Sequence, residues 1–142
     1  MDAKVVVDAS VWVSRFMPTD VNHNPSILWL NRFTTMGGLL VEPTLLQIEV
    51  AAAISRRTGQ TDLSRDAVRR LYNPDAMYFV PLSAMLVEAS VDIAINLQLR
   101  AGDAIYVALA HQRSIPLISW DREQLERASG LIAAYTPENY TF

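Results

Sequence analysis

Asp8, Glu49, Asp103 and Asp121 are spread over nearly the whole chain, yet each falls where a short α/β fold can deliver it to one end of a sheet. Asp8 follows the apolar run Val5-Val6-Val7 and Asp121 follows Leu117-Ile118-Ser119-Trp120. Asp103 opens the helical run Ala104 to His111, and Glu49 sits inside Leu45 to Ile54. Carboxylates at strand mouths and on an otherwise apolar helix point to a divalent-metal site. Two hydroxyls accompany them: Ser10, two residues after Asp8, and Ser119, two before Asp121, each placed to orient a metal-bound water or to serve as a cap or strand-end polar group.

Each acid also has a plainer explanation. Glu49 lies on or beside an apolar helix face, with Leu45, Leu46, Ala52 and Ala53 as its one-turn neighbours. A carboxylate there is costly unless paired with Arg, snorkelled to solvent or bound to a metal. Asp8, Asp103 and Asp121 each read singly as helix N-caps that accept backbone N–H bonds. Taken together the four are harder to dismiss, because two of them close apolar strands and all four can converge only at one end of the fold. Glu88 and Asp92 read as an exposed acidic face, His23 and His111 as structural, and Trp12, Trp29 and Trp120 as packing, with Trp120 next to Asp121.

The elements that must position these groups alternate. Lys4 to Val7 reads as a buried strand, Ser10 to Met17 as a short helix ending before Pro18, and Asn24-Pro25-Ser26 as the entry to a helix stopped by Gly37-Gly38. Leu39 to Val41 is a second strand. Helices from Pro43-Thr44 to about Arg57 and from Thr61 or Asp62 to about Tyr72, broken at Gly59, form a hairpin. Met77 to Val80 is a third strand, Ala84 to Leu99 and Asp103 to Arg113 are helices, and Pro116 to Ser119 is a fourth strand. A short helix near Glu123 to Ala128, a last strand near Leu131 to Tyr135 and a polar turn at Pro137-Glu138-Asn139 close the chain. Such alternation favours a parallel sheet covered on both faces, with ligands at the carboxyl ends of its strands.

A chain of 142 residues, 51% hydrophobic, suits one domain, 1–142, with its own core. It has no cysteine, which excludes a disulfide framework, thiolate zinc and thiol catalysis and leaves oxygen-liganded metals. Met1-Asp2-Ala3-Lys4 leads into no leader-like apolar stretch, and no segment reaches the roughly 20 apolar residues of a membrane span, so a soluble, cytoplasmic protein is expected. The net charge of −3 argues against generic coating of nucleic acid. Of the twelve basic residues only Lys4 is Lys, and Arg56, Arg57, Arg65, Arg69 and Arg70 crowd one section. That cluster reads either as a phosphate-recognising surface or as a solvated helix face paired with Asp62 and Asp66.

Four segments carry a resemblance: Val6-Val7-Asp8-Ala9-Ser10-Val11, Ile48-Glu49-Val50-Ala51, the run Leu99 to Ala110 containing Gly102-Asp103-Ala104, and Ile118-Ser119-Trp120-Asp121. In that order and spacing the chain resembles, over its full length, the PIN-domain family of metal-dependent nucleases, and within it the small VapC-like toxins of type II toxin–antitoxin pairs. The resemblance implies an α/β, three-layer fold with a mostly parallel sheet of about five short strands flanked by helices and a protruding helical hairpin. It implies Asp8, Glu49, Asp103 and Asp121 as the metal-binding acids, supported by Ser10 and Ser119, with no acid missing. It implies an Mg²⁺- or Mn²⁺-dependent ribonuclease acting on RNA. It also implies a homodimer and a small antitoxin laid into a groove near the hairpin, where Ile54, Leu63, Val68 and Leu71 offer apolar surface, sending an Arg toward the acids. Such ions activate water and polarise a phosphodiester, so no His or Lys base is required.

Other readings make different demands. A stand-alone RNA-processing nuclease would keep the acids and lack an antitoxin, and a binding-only PIN-like domain would hold metal without turnover. A phospho-acceptor module would need a Lys near the acids, and Lys4 lies on the wrong side of its strand. Neither phosphate-loop pattern, G-x-x-x-x-G-K-[ST] or G-x-G-x-x-G, occurs.

Overall fold

The computed structural model describes residues 3–142, so Met1 and Asp2, part of the N-terminus read as not leader-like, lie outside the described residues. Elements run β1 (Lys4–Val7), α1 (Ala9–Phe16), α2 (His23–Thr35), β2 (Leu39–Pro43), α3 (Leu45–Thr58), α4 (Thr61–Leu71), β3 (Met77–Val80), α5 (Ala84–Leu97), α6 (Ala101–Arg113), β4 (Leu117–Ile118), α7 (Arg122–Ala128) and β5 (Ala134–Tyr135). The strands form one five-stranded sheet in the order β3-β2-β1-β4-β5, and every pairing is parallel.

The central strand is β1. Val5, Val6 and Val7 are fully buried, which is why this strand reads as an unbroken apolar run and not as an alternation. Val7 pairs with Ile118 of β4 on one side, and Val5 with Leu40 of β2 on the other. The chain moves outward from β1 through β2 to β3, then returns to β4 on the far side of β1. Right-handed crossovers in opposite directions place α1 to α4 on one face and α5 and α6 on the other. Accordingly α1 packs on α2 and α3, α3 on α4, and α6 along β1, β2 and β4. The reversal between β1 and β4 opens a crevice beyond their carboxyl ends, where ligands of open α/β sheets bind.

Local chemistry sets the helix ends. Asp8 caps α1 by accepting the Ser10 N–H, Ser83 caps α5 by accepting the Leu86 N–H, and Asp121 caps α7 by accepting the Gln124 N–H. Gly59 ends α3 at φ 66, a left-handed conformation that lets α4 fold back as the second arm of the hairpin.

Two expected elements are shorter than the sequence suggests. The last strand keeps only Ala134–Tyr135, because the N–H groups of Leu131 and Ile132 turn back to the Ala128 carbonyl as the end of α7. The fourth strand keeps Leu117–Ile118, although Pro116 and Ser119 still bond across to Val6 and Tyr135. The polar turn at 137–139 does not end the structure: Tyr140 and Phe142 fold back on Trp29, with ring centroids 5.5 and 6.1 Å away, and Trp29 stacks on Phe33 at 5.0 Å. Among the described residues no helix is long and apolar enough to cross a membrane.

Candidate metal centre

Because β1 and β4 are neighbours, the residues that follow them meet. The Asp8 N–H donates to the Ile118 carbonyl at 2.9 Å, continuing the ladder one residue past the strand. Asp8 is 5% exposed; its Oδ2 accepts the Ser10 N–H at 2.9 Å and its Oδ1 accepts the Gln124 Nε2 at 3.2 Å. Asp121 caps α7 through Oδ1 and donates its own N–H to Ser119 Oγ at 3.0 Å. Ser10 Oγ accepts the Trp120 N–H at 3.1 Å and lies 3.4 Å from Ser119 Oγ. The two serines thus join the β1 and β4 exits. Ser10 lines the cleft, and Ser119 is fully buried beneath it.

Asp103 arrives in the first turn of α6, one face of the sheet away, and Glu49 from α3 on the other. Asp8, Glu49, Asp103, Asp121 and Ser10 line a single cleft of about 520 Å³, shared with Asp20, Arg57, Arg100 and Trp120. Gly102 permits this approach: a Cβ there would stand 2.9 Å from Glu49 Oε2. No three acidic or histidine side chains among the described residues are already drawn together as a metal-ligand set.

Electrostatics in the cleft are one-sided. Burial raises the pKa of Asp8, partly offset by hydrogen bonds from Ser10 and Gln124, and the Asp121 charge raises it further. Burial also raises Glu49, with Asp8 and Asp103 adding to it. Asp103 is pushed up to about 6 by burial and then by Asp8 and Asp121. The opposing cations are few. Arg100 reaches Asp103 only at 4.0 Å from an exposed position, and Arg57 pairs instead with Asp20 at 3.4 Å. The Tyr106 hydroxyl lies close enough to Glu49 to favour its ionised form but falls short of a hydrogen bond, so Glu49 Oε1 and the hydroxyl are both buried without partners. A carboxylate oxygen buried short of a hydrogen bond, among acids that raise one another's pKa, is an environment that a cation would stabilise. The donor set fits Mg²⁺ or Mn²⁺: it is all oxygen, no Lys competes for it, and Mg²⁺ takes one or two carboxylates directly and keeps several waters.

Several residues escaped the sequence reading. Gln124 is fully buried and bridges Asp8 to the Asp103 carbonyl, donating to the latter at 3.3 Å. Its sequence signal was available, since Asp121-x-x-Gln124 has the spacing of a capping box. Glu42, just past the apolar run of β2, is fully buried; its Oε1 accepts the Val7 N–H at 2.7 Å and its Oε2 has no partner. Burial lifts its pKa well above the ordinary carboxylate range, which favours the neutral acid. Gly102 stood in a segment that carried the resemblance, without its role against Glu49 being read, and the Asp20–Arg57 pair gave no distinguishing pattern.

The Arg cluster does not form one surface. Arg57 lines the acid cleft, Arg65 and Arg69 line a groove between α3 and α4, and Arg70 lines a hollow beside α1. The expected pairing with Asp66 is present, to Arg69 at 3.7 Å and Arg70 at 3.9 Å. Of the four apolar residues assigned to a groove, Ile54 and Leu71 are core, Leu63 is 39% exposed, and Val68 lines the groove beside Ile48. His23 Nδ1 bonds the Ser14 carbonyl at 2.9 Å, and His111 is exposed on α6.

No curated protein matches the sequence. Solved structures share the fold at low identity. VapC20 of Mycobacterium tuberculosis, described as a Sarcin-Ricin loop cleaving toxin, superposes with a TM-score of 0.72 at 17% identity, covering 90% of this chain and 96% of that one. VapBC2 of Rickettsia felis, bound to a DNA fragment from its promoter, gives 0.71 at 9% identity over 93% and 98%. FitAcB of Neisseria gonorrhoeae gives 0.70 at 14% identity over 96% and 99%. The PIN domain model matches residues 5–131, which span the first strand, all four cleft acids and the β1–β4 crevice. By that match the chain belongs to the PIN domain family.

Proposed function

We propose that this chain is a divalent-metal-dependent endoribonuclease and the toxin of a toxin–antitoxin pair. The observation that carries the nuclease reading is the charge imbalance of the cleft: buried Asp8 and half-buried, mutually repelling Glu49, Asp103 and Asp121 at the β1–β4 switch point, with one Glu49 oxygen unpartnered. Asp8, Glu49, Asp103 and Asp121 would hold Mg²⁺ or Mn²⁺, which when bound supplies water activation and charge neutralisation at a phosphodiester. Gln124 and the Ser10 N–H fix the Asp8 carboxylate in one rotamer. Ser119 holds the Asp121 backbone, and Ser10, whose hydroxyl accepts the Trp120 N–H on the cleft lining, would orient a water. Arg57 and Arg100, on the cleft lining, are placed to receive the phosphates flanking the scissile bond.

Support for a toxin comes from the likeness to VapC20, described as a cleaving toxin. The antitoxin would lay an apolar helix into the groove of about 700 Å³ between α3 and α4, lined by Ile48, Ala51, Val68 and the stems of Arg65 and Arg69. Ile48 is 67% exposed, a large apolar side chain available to such a partner. A homodimer would cover the exposed stripe Val87, Val91 and Ile95 on α5. A toxin acting on cellular RNA would work in the cytoplasm. The test is cleavage of mixed cellular RNA with Mg²⁺ or Mn²⁺ and with chelator. Discrete metal-dependent cuts lost in Asp8→Asn and Asp103→Asn support the reading. Cuts that are the same in the variants contradict it. A stand-alone processing enzyme would cut RNA equally well and co-purify with no small inhibitory protein.

A further inference from the structure

A second hollow, of about 120 Å³, lies beside the far end of α1, between α1, α2 and the end of α4. Arg15, Asn31, Thr34, Arg70 and Asn73 supply its polar lining, and Trp12, Leu30, Leu40 and Met77 its floor. Arg15 follows Asp8 by seven residues, roughly 10 Å along α1 at ~1.5 Å per residue. Leu40 and Met77 are near the amino ends of their strands, so the hollow is at the opposite edge of the sheet from the acids.

The two guanidiniums converge on one ring: the Arg15 carbon is 5.3 Å and the Arg70 carbon 5.6 Å from the Phe16 centroid, and Arg15 also lies 5.7 Å from the Trp12 centroid. Burial, and then the charge of Arg70, lowers the pKa of Arg15. Arg15 makes no ion pair among the described residues, and Arg70 makes one, with Asp66 at 3.9 Å between exposed side chains. An exposed pair of that length does little to offset two cations. The Asn73 Oδ1 accepts the Asp75 N–H, which leaves its amide N–H₂ free to donate. The Thr34 hydroxyl is committed to the Leu30 carbonyl at 2.9 Å and contributes no donor.

We propose that this hollow is a binding site for a phosphate group, clamped between the Arg15 and Arg70 guanidiniums and capped by the side-chain amides of Asn31 and Asn73. Aromatic faces hold both forks in place, so less side-chain freedom is lost on binding than two free Arg would lose. The volume is sufficient for one phosphate. The site stands apart from the acid cleft and needs no metal. The phosphate is either free in solution or part of an RNA chain, as a terminal monoester or a backbone diester.

Titration of inorganic phosphate by calorimetry, in chelator, tests this, because the metal-free acid cleft repels phosphate. Saturable binding is expected in wild type, weakened about tenfold or more in Arg15→Gln and in Arg70→Gln, as expected for loss of a charge-assisted bond. Arg122→Gln, an exposed cation elsewhere, leaves it unchanged. Arg70 is exposed, so Arg70→Gln remains informative if Arg15→Gln melts early. No binding in wild type, binding undiminished in Arg70→Gln, or equal weakening in Arg122→Gln overturns the proposal. The same variants with short oligoribonucleotides identify the source. Weakening only with a 5′-phosphate marks a terminal phosphate, and equal weakening with 5′-phosphate and 5′-hydroxyl marks the backbone. Weakening with inorganic phosphate alone marks the free anion. Because chelator prevents cleavage, failure here leaves the nuclease reading untouched, and failure of cleavage leaves this site intact.

Discussion

The two ends of α1 carry opposite excesses of charge. At its N-terminus Asp8 faces Glu49, Asp103 and Asp121 across a cleft; near its C-terminus Arg15 faces Arg70 across a smaller hollow. The helix dipole favours an acid at the first position and a base at the last, by about 0.3–1 kcal/mol each. That accounts for Asp8 or Arg15 alone. It does not account for the company each keeps, because a second like charge adds repulsion and no capping. What separates the ends is how they are held. Asp8 and Asp121 are fixed by backbone N–H groups and, for Asp8, by Gln124, whereas the arginines rest on aromatic faces. A rigid cradle suits positioning of reacting atoms, and a stacked, adaptable one suits grip on a group that does not react.

The largest expected effect breaks the acidic end. Asp8→Asn removes a charge and keeps the shape, and cleavage falls by at least about 100-fold, the upper range even for outer-shell changes at metal sites. Its metal-free melting temperature does not fall, because repulsion is relieved. Next is Gly102→Ala, whose new Cβ meets Glu49 Oε2 at 2.9 Å and turns the carboxylate aside. Divalent-ion affinity should drop about tenfold or more on the same outer-shell scale. Thermal stability should hold or rise, since Ala replaces Gly inside a helix at a gain of up to ~1 kcal/mol. A stability loss with unchanged affinity would show that Gly102 serves packing and not the site.

The pH response distinguishes the ends without mutation. Asp103 has a folded pKa of about 6 against an ordinary 3.8, so the folded state binds its proton more tightly. Metal-free stability is therefore fully present below the ordinary value and declines as pH rises through about 6. Melting followed from pH 5 to 7 in chelator should show this decline, reduced in Asp103→Asn and reversed by Mg²⁺, which competes with the proton. A curve identical in Asp103→Asn would remove the acid from that account.

The smallest effect sits beneath the cleft. Burial favours the neutral form of Glu42, which Glu42→Gln mimics in shape and charge, so the substitution shifts stability by less than about 1 kcal/mol in denaturant melts. Glu42→Leu strands the buried Val7 N–H and costs about 1–3 kcal/mol. Equal losses in both would mean that the carboxylate is ionised in the fold.

Much of this was legible in the chain. Buried β1, the alternation of strands and helices and the Gly59 break in the hairpin follow from residue pattern, and the four acids stand out because strand ends and an apolar helix are poor places for charge. What stayed hidden depends on pairing across distance. Glu42 becomes a partner of Val7 only once β2 lies beside β1, and Gln124 reaches Asp8 only across the β1–β4 crevice. The Arg15–Arg70 pair is separated by most of three helices, while its sequence neighbours Arg65 and Arg69 face a different groove. The return of Tyr140 and Phe142 to Trp29 was masked by the polar turn that precedes them.

The central claim is that the carboxylate cleft is a cation site. Calorimetric titration of Mn²⁺ into the chelator-stripped protein near pH 6, with Asp8→Asn and Glu49→Gln beside wild type, tests it most directly. Saturable binding accompanied by proton release, and lost in both variants, is the predicted result, because a metal must displace the proton that Asp103, with a pKa of about 6, partly holds there. No binding in wild type, or binding undiminished in both variants, would contradict it.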